Sequence, residues 1–409
     1  MTRLAFITTI ILSIPTAQAQ VGSTIWFEGF DSLNTNHWNV VTGNGCPELC
    51  YWGNFEHQYY DEANVYTDTI PGEPENRGLV IEAKRESKGG MQFTSGRLNT
   101  KEKLEIRYGV IDVRMRVPDL ETGLWPAFWL LGANNPDVGW PQSGEIDMME
   151  MGHKESYRTG QGQTNSTVNN FVGANVIWYA EGACNANNPT CAAAIAGTEN
   201  YYAPYVPEEP MNDRFVTYRL YWNSNELRFT VIDGEEEIGL YTAPFSFTEP
   251  GEIKSTFTKP FYLIMNLAVG GNFTDASTPQ SVSADLPAKM YIDYIKVSKY
   301  GSYGEVTVDG MVVPNEGEKE LPENFKLKQN YPNPFNPSTT IDFELSKASR
   351  VKISVFDITG RKVSDLTNSF YSLGSYSIRF DASDLPTGLY YYTMEADGFS
   401  TTKKMILIK

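Results

Sequence analysis

The chain has 409 residues, with 33 Lys and Arg against 50 Asp and Glu for a net charge of −17, and 13% of it is aromatic. That length gives one large domain and a small one. A surface so acidic repels nucleic acid and anionic membrane and disfavours sulfated or uronic polymers, so a neutral substrate fits best; the same charge would also simply keep an exported protein in solution.

Residues 1–19 read as an export signal. Arg3 supplies the positive start, Leu4 to Ile14 is mostly apolar, and Ala17-Gln18-Ala19 is a small-x-small cleavage site. The run of about eleven apolar residues falls short of the roughly twenty that span a bilayer, and no later stretch is long and apolar enough to be a transmembrane segment. From residue 20 to about 300 the chain reads as short strands. Leu79 to Ala83, Gly109 to Val117 and Leu227 to Gly234 alternate apolar with polar residues, and Gly, Pro, Asn and Asp separate them. All eight Trp lie in this stretch. The expectation is an all-β, two-sheet sandwich. Cys46 with Cys50, and Cys184 with Cys191, are close enough in sequence to staple local loops in an oxidising compartment, whereas a zinc site would need all four to converge.

Residues 301–323 are rich in Gly, Glu, Pro and Asn and read as a linker. A second β-rich unit, 324–409, follows without Trp, Cys or His; its strands include Val351 to Phe356 and Gly388 to Thr393. It is large enough for a small sandwich but has little room for a catalytic cleft.

The chemistry concentrates in Ser143-Gly144-Glu145-Ile146-Asp147-Met148-Met149-Glu150-Met151. On a strand Glu145 and Asp147 share a face, and strict alternation would put Glu150 on the other. One extra residue forming a bulge at Met148-Met149 restores Glu150 to the carboxylate side. Crowded carboxylates raise one another's pKa, which keeps one of them protonated near neutrality. A retaining glycosidase needs that proton donor and an ionised nucleophile, roughly 5–5.5 Å apart. A solvated acidic stripe or a calcium site would show the same Glu-x-Asp-x-x-Glu spacing. The neighbourhood favours the sugar reading, because Trp125, Trp129 and Trp140 lie just upstream and pyranose faces stack on aromatic rings.

The sequence resembles glycoside hydrolase family 16, particularly its laminarinase branch, over nearly all of residues 25–300. The segments that carry the resemblance are Trp52 to Tyr60, Thr94 to Thr100, Gly123 to Gly132, Trp140 to Glu150, Pro260 to Gly271 and Met290 to Val297. It implies a curved β-jelly roll with an open cleft, Glu145 as nucleophile, Glu150 as general acid/base and Asp147 as the assisting acid. Asn54, Arg97, Trp125, Trp129 and Trp140 match positions lining the sugar subsites, although Trp125 and Trp129 also suit a core and Arg97 an ion pair. Glu28, Gly78 and Asp293 resemble a structural calcium site remote from the cleft, with Gly78 giving a carbonyl; catalysis itself needs no cofactor. In this family two residues between the second and third acids go with laminarinase-like members, and one with dedicated mixed-linkage enzymes. The function implied is a secreted endo-β-1,3-glucanase, acting as a monomer on a β-glucan. A β-1,3-1,4-glucanase is the rival within enzymes, and a non-catalytic glucan-binding lectin or adhesin the rival outside them.

There are departures. Laminarinases of this family commonly carry a His on a strand after the acid row, whereas here Asn165 to Asn170 follows and His153 comes too early. With only His37, His57 and His153, a His-based metal hydrolase has little to work with. The insert around Cys184 to Cys191 is also outside the pattern. The tail resembles the C-terminal sorting domain of type IX secretion, through Asn330 to Pro337, Phe356 to Arg361, Pro386 to Tyr391 and a Lys-rich last strand. That implies the type IX machinery as a partner and a secreted or cell-surface location. The competing reading is a carbohydrate-binding module using Tyr390, Tyr391 and Tyr392.

Overall fold

A computed structural model describes residues 21–195, 205–244, 252–313, 325–346, 349–371 and 374–409. The expected export signal lies outside the described residues. Among the described residues strands dominate, and the α-helices Asn135–Val138, Glu155–Gly160 and Glu252–Thr256 are each under two turns. The alternating segments of the sequence become strands Glu73–Ala83, Gly109–Arg116 and Glu226–Asp233.

Two antiparallel sheets face each other in a curled jelly roll. One has eight strands, with Gly109–Arg116 and Ala288–Tyr300 paired at its centre. The other has ten, and its middle runs Gly173–Tyr179, Glu145–Glu150, Leu124–Gly132, Phe261–Val269. One continuous core fills the space between them, from Trp38 and Phe93 to Trp222, Phe257 and Ile292. Phe261–Val269 is buried at every position, as expected for a central strand with the core on one face and the cleft side chains over the other.

Both expected disulfides form, Cys46–Cys50 and Cys184–Cys191. The expected linker starts too early. Glu305–Val308 adds a strand to the ten-stranded sheet beside Leu104–Arg107, and Val306 is fully buried. Its Glu-Val-Thr-Val alternation is a half-buried strand pattern that the surrounding Gly and Asp conceal. Residues 314–324 lie outside the described residues. The tail packs a three-stranded and a four-stranded sheet around its own core, which includes Phe343, Val355, Tyr392 and Met405.

Candidate active site

The acid strand Glu145–Glu150 pairs with Leu124–Gly132, and the register carries the bulge. Leu131 faces Glu145, Trp129 faces Asp147, then Phe128 faces Met149 and Ala127 faces Glu150, so Met148 is the extra residue. Positions 127, 129 and 131 alternate regularly, so Glu145, Asp147 and Glu150 stand on one face. Met148 and Met149 are both buried in the core with Ile146. Two thioethers side by side are well suited to this, since an unbranched flexible side chain fills the uneven space under a bulge.

Each outer carboxylate receives an indole proton. Trp140 Nε1 donates to Glu145 Oε2 at 2.9 Å, and Trp125 Nε1 donates to Glu150 Oε1 at 3.2 Å. Burial pushes Glu145 up to about 7, against hydrogen bonds from Asp147 and Trp140 and the charge of Arg97, all of which pull it down. Burial and the charge of Glu145 push Glu150 up to about 8, with the Trp125 hydrogen bond opposing. Asp147 goes well above the ordinary carboxyl range through burial, then through the charges of Glu145 and Glu150. The upward shifts have a chemical consequence: the outer pair Glu145 and Glu150 can hold a proton near neutrality, and Asp147, raised by burial and by both charges, hydrogen-bonds Glu145.

The other expected residues have the following surroundings. Trp140 is 42% exposed, with its ring open to solvent at the rim. Trp129 is half-buried beside Asp147 and donates from Nε1 to Asn266 Oδ1 at 2.9 Å. Arg97 sits opposite Asn266 in the register and lays its guanidinium over Trp52 at 4.6 Å and Trp129 at 5.2 Å. Asn54 is half-buried and reaches Glu56 Oε1 at 3.5 Å. Trp125 differs from the rest. It is buried, and Phe273 covers its face in a parallel stack at 4.1 Å, so its polar edge is directed to Glu150.

Glu56 was missed. Its buried carboxylate takes hydrogen bonds from Gln58 Nε2 at 2.6 Å and Tyr60 OH at 3.0 Å. Burial raises its pKa against the charge of Arg97 and these hydrogen bonds. The signal was a Glu flanked by Trp, Asn, Gln and Tyr within nine residues. The strand after the acid row is Gly173–Tyr179, later than the segment expected, and Asn175 stands across from Asp147.

Two of the expected calcium residues, Glu28 and Asp293, have protein partners in this structure. Glu28 accepts from Phe30 N and Trp38 Nε1, each at 3.3 Å. Asp293 is hydrogen-bonded by Arg114 and by Asn76 Nδ2, the latter at 2.9 Å, and Arg114 also reaches Glu73 at 2.8 Å. A guanidinium thus already holds the carboxylate that calcium would need. Among the described residues no group of three or more His, Cys, Asp or Glu is placed to hold a metal.

A jelly roll whose sheet carries a row of buried carboxylates with raised pKa values, flanked by Trp and Arg, defines a glycoside hydrolase. Residues 59–296, more than half of the chain, match the family described as Glycosyl hydrolases family 16, and the chain belongs to that family. Residues 329–409 match the Secretion system C-terminal sorting domain, which implies export followed by release or attachment at the cell surface. The chain is 31% identical over 307 residues to a glucan endo-1,3-beta-glucosidase A1 of Niallia circulans, covering 71% of this chain but only 40% of that relative. Its fold is similar to the laminarinase catalytic domain of Thermotoga maritima, with a TM-score of 0.52 and 29% identity over 68% of this chain and 99% of that one. It is also similar to a family 16 enzyme from a mixed-linkage glucan locus of Bacteroides ovatus, with a TM-score of 0.52 and 27% identity over 67% of this chain and 99% of that one.

Proposed function

We propose that this chain is an exported, retaining endo-β-1,3-glucanase acting on laminarin-type glucan. The bulged acid strand carries the reading, because it sets three carboxylates on one face, with the outer two raised by burial so that one can hold a proton near neutrality. The ionised carboxylate of Glu145 attacks the anomeric carbon, and the glycosidic C–O bond breaks as Glu150 passes its proton to the leaving oxygen. Water then gives a proton back to Glu150 and adds to the anomeric carbon, releasing Glu145 with the configuration retained. Asp147, protonated, donates to Glu145 and steadies it. Asn54, Arg97, Trp129 and Trp140 form the sugar-binding surface, with Trp140 stacking at the rim. Trp125 acts on Glu150 rather than on sugar. The tail engages the type IX secretion machinery, and the enzyme works as a monomer without a cofactor for catalysis. Arg114 takes the place beside Asp293 that a structural calcium would need, so calcium would have to displace it.

Glu145→Gln and Glu150→Gln should each lower kcat on glucan by roughly 10³-fold or more in a folded protein, and Asp147→Asn by less. A loss under tenfold for either outer acid removes the assignment. Across a panel of glucans and galactans, kcat/KM should be highest on laminarin and appreciable on mixed-linkage β-glucan, with no cleavage of cellulose, agarose or carrageenan. The fold is as similar to the Bacteroides ovatus enzyme as to the Thermotoga maritima laminarinase, so a β-1,3-1,4-glucanase is the second reading. A clear preference for mixed-linkage glucan would establish it.

A further inference from the structure

We propose that His153 is a positioning residue for Glu150, acting through the rings of Phe273 and Trp125. The inference rests on Glu150 being the proton donor. His153 lies three residues beyond the acid strand and is only 5% exposed. Its ring stacks on Tyr157 at 4.9 Å, meets Phe171 edge-on at 4.8 Å and lies against Phe273 at 4.2 Å. Phe273 in turn is parallel to Trp125 within 1° at 4.1 Å, and Trp125 Nε1 holds Glu150. Tyr157, His153, Phe273 and Trp125 make a continuous chain of ring contacts from the helix Glu155–Gly160 to the carboxyl group, stacked at both ends and tilted by 45° between His153 and Phe273.

Glu150 needs such a support. A cavity of about 250 Å³ opens beside it, bounded also by His153, Tyr157, Asn175 and Phe273. A carboxyl group facing that space can rotate away from the scissile oxygen, and the Trp125 hydrogen bond opposes the rotation. An indole keeps its direction only while its ring plane is held, and the parallel Phe273 ring, backed by His153, holds it. The imidazole is packed closely against the neighbouring strand, since a Cβ on Gly173, the residue paired with Glu150, would lie 2.6 Å from His153 Cε1. The imidazole acts as a ring and not as an acid: burial, then the charge of Arg158, hold it neutral down to about pH 3. A phenyl ring should therefore replace it.

The test separates proton donation from folding. Loss of the donor slows cleavage of a sugar leaving group, but barely affects a 2,4-dinitrophenolate, which departs without a proton. His153→Leu and Phe273→Leu should each lower kcat/KM about tenfold on the glucan that the parent cleaves best, and less than about threefold on the 2,4-dinitrophenyl glycoside of a matching oligosaccharide. His153→Phe should stay within about threefold of the parent on both. Glu150→Gln provides the reference, with a larger split in the same sense. If Glu150→Gln shows no split, the proton-donor reading fails and takes this proposal with it. If Glu150→Gln shows the split while both leucine variants, folded by thermal melting, lose equally on the two substrates or lose nothing, the positioning role is overturned. An equal loss in His153→Phe and His153→Leu also overturns it.

Discussion

Each sheet of the large domain carries a bulge beside a buried carboxylate, and the two are used in opposite ways. On the ten-stranded sheet the extra residue is Met148, and the bulge turns Glu150 into line with Glu145 and Asp147. On the eight-stranded sheet it is Asp293, which the register skips between Ile292 and Tyr294 where the strand meets Gly109–Arg116. There each acid meets a cation. Asp293 is held by Arg114, and the fully buried Asp112 by Arg219 and by Lys296 at 3.0 Å. Burial would raise Asp112, but the hydrogen bonds from Arg219 and the charges of Lys296 and Arg219 outweigh it and hold the group below its ordinary value. The acid row has no ion pair of this kind and is shifted upward. Asp112 is therefore a fixed charge on one sheet and the acid row a proton carrier on the other, whereas Asp293, although Arg114 holds it, is still raised by burial.

The comparison breaks most visibly at Asp112. Asp112→Asn leaves two cations facing a neutral amide inside the sheet, and should cost about 3–5 kcal/mol of stability in denaturant unfolding. The turnover of the folded fraction should be unchanged, because Asp112 lies on the sheet opposite the cleft. A cost below about 1 kcal/mol would mean that the pairing adds little.

The acid row should respond with the opposite sign. Glu150 titrates near 4.5 when unfolded and near 8 when folded, so its proton is held by the native state between those values. Stability from this group is complete below about pH 4.5 and is lost as pH rises through about 8. Glu150→Gln never ionises and should be the more stable protein at pH 8–9, by roughly 1–2 kcal/mol, with the gain vanishing near pH 4. Glu145 and Asp147, raised in the same way, remain in the variant and keep part of the pH dependence. Melting curves at the two pH values decide it, and a variant less stable than the parent at pH 8 contradicts the upward shift.

How much of this was readable beforehand follows from whether the signal is local. The acid row and its bulge are written in nine consecutive residues, because Glu-x-Asp-x-x-Glu breaks alternation by one position and the strand pattern shows where. The sandwich was legible from period-two alternation for the same reason. The stack behind Glu150 was not, since Trp125, His153 and Phe273 are brought together only by the sheet and its loops. The strand at Glu305–Val308 was lost among Gly and Asp that resemble linker sequence. Glu28, Gly78 and Asp293 were read as oxygen donors, but nothing in their spacing tells that Arg114, across the ladder, would arrive first.

That last residue gives the smallest effect and the finest test of the comparison. If Arg114 is the resident cation, its guanidinium already occupies the place between Glu73 and Asp293 that calcium would take. The melting temperature of the parent should then change by less than about 1 °C between excess EDTA and millimolar calcium, since a ligand stabilises only as far as it binds the native state. Arg114→Ala removes the guanidinium and leaves two carboxylates with Asn76 between them, because Asn76 Nδ2 bonds Glu73 and Asp293, each at 2.9 Å. That variant should be destabilised in EDTA and partly restored by calcium, because hard oxygen ligands with uncompensated charge are what this ion takes. A parent that loses several degrees in EDTA would mean that calcium displaces Arg114, and that the second bulge is a metal site. A variant indifferent to calcium would mean that the oxygens do not converge, and that the arginine holds the bulge by its hydrogen bonds rather than by its charge.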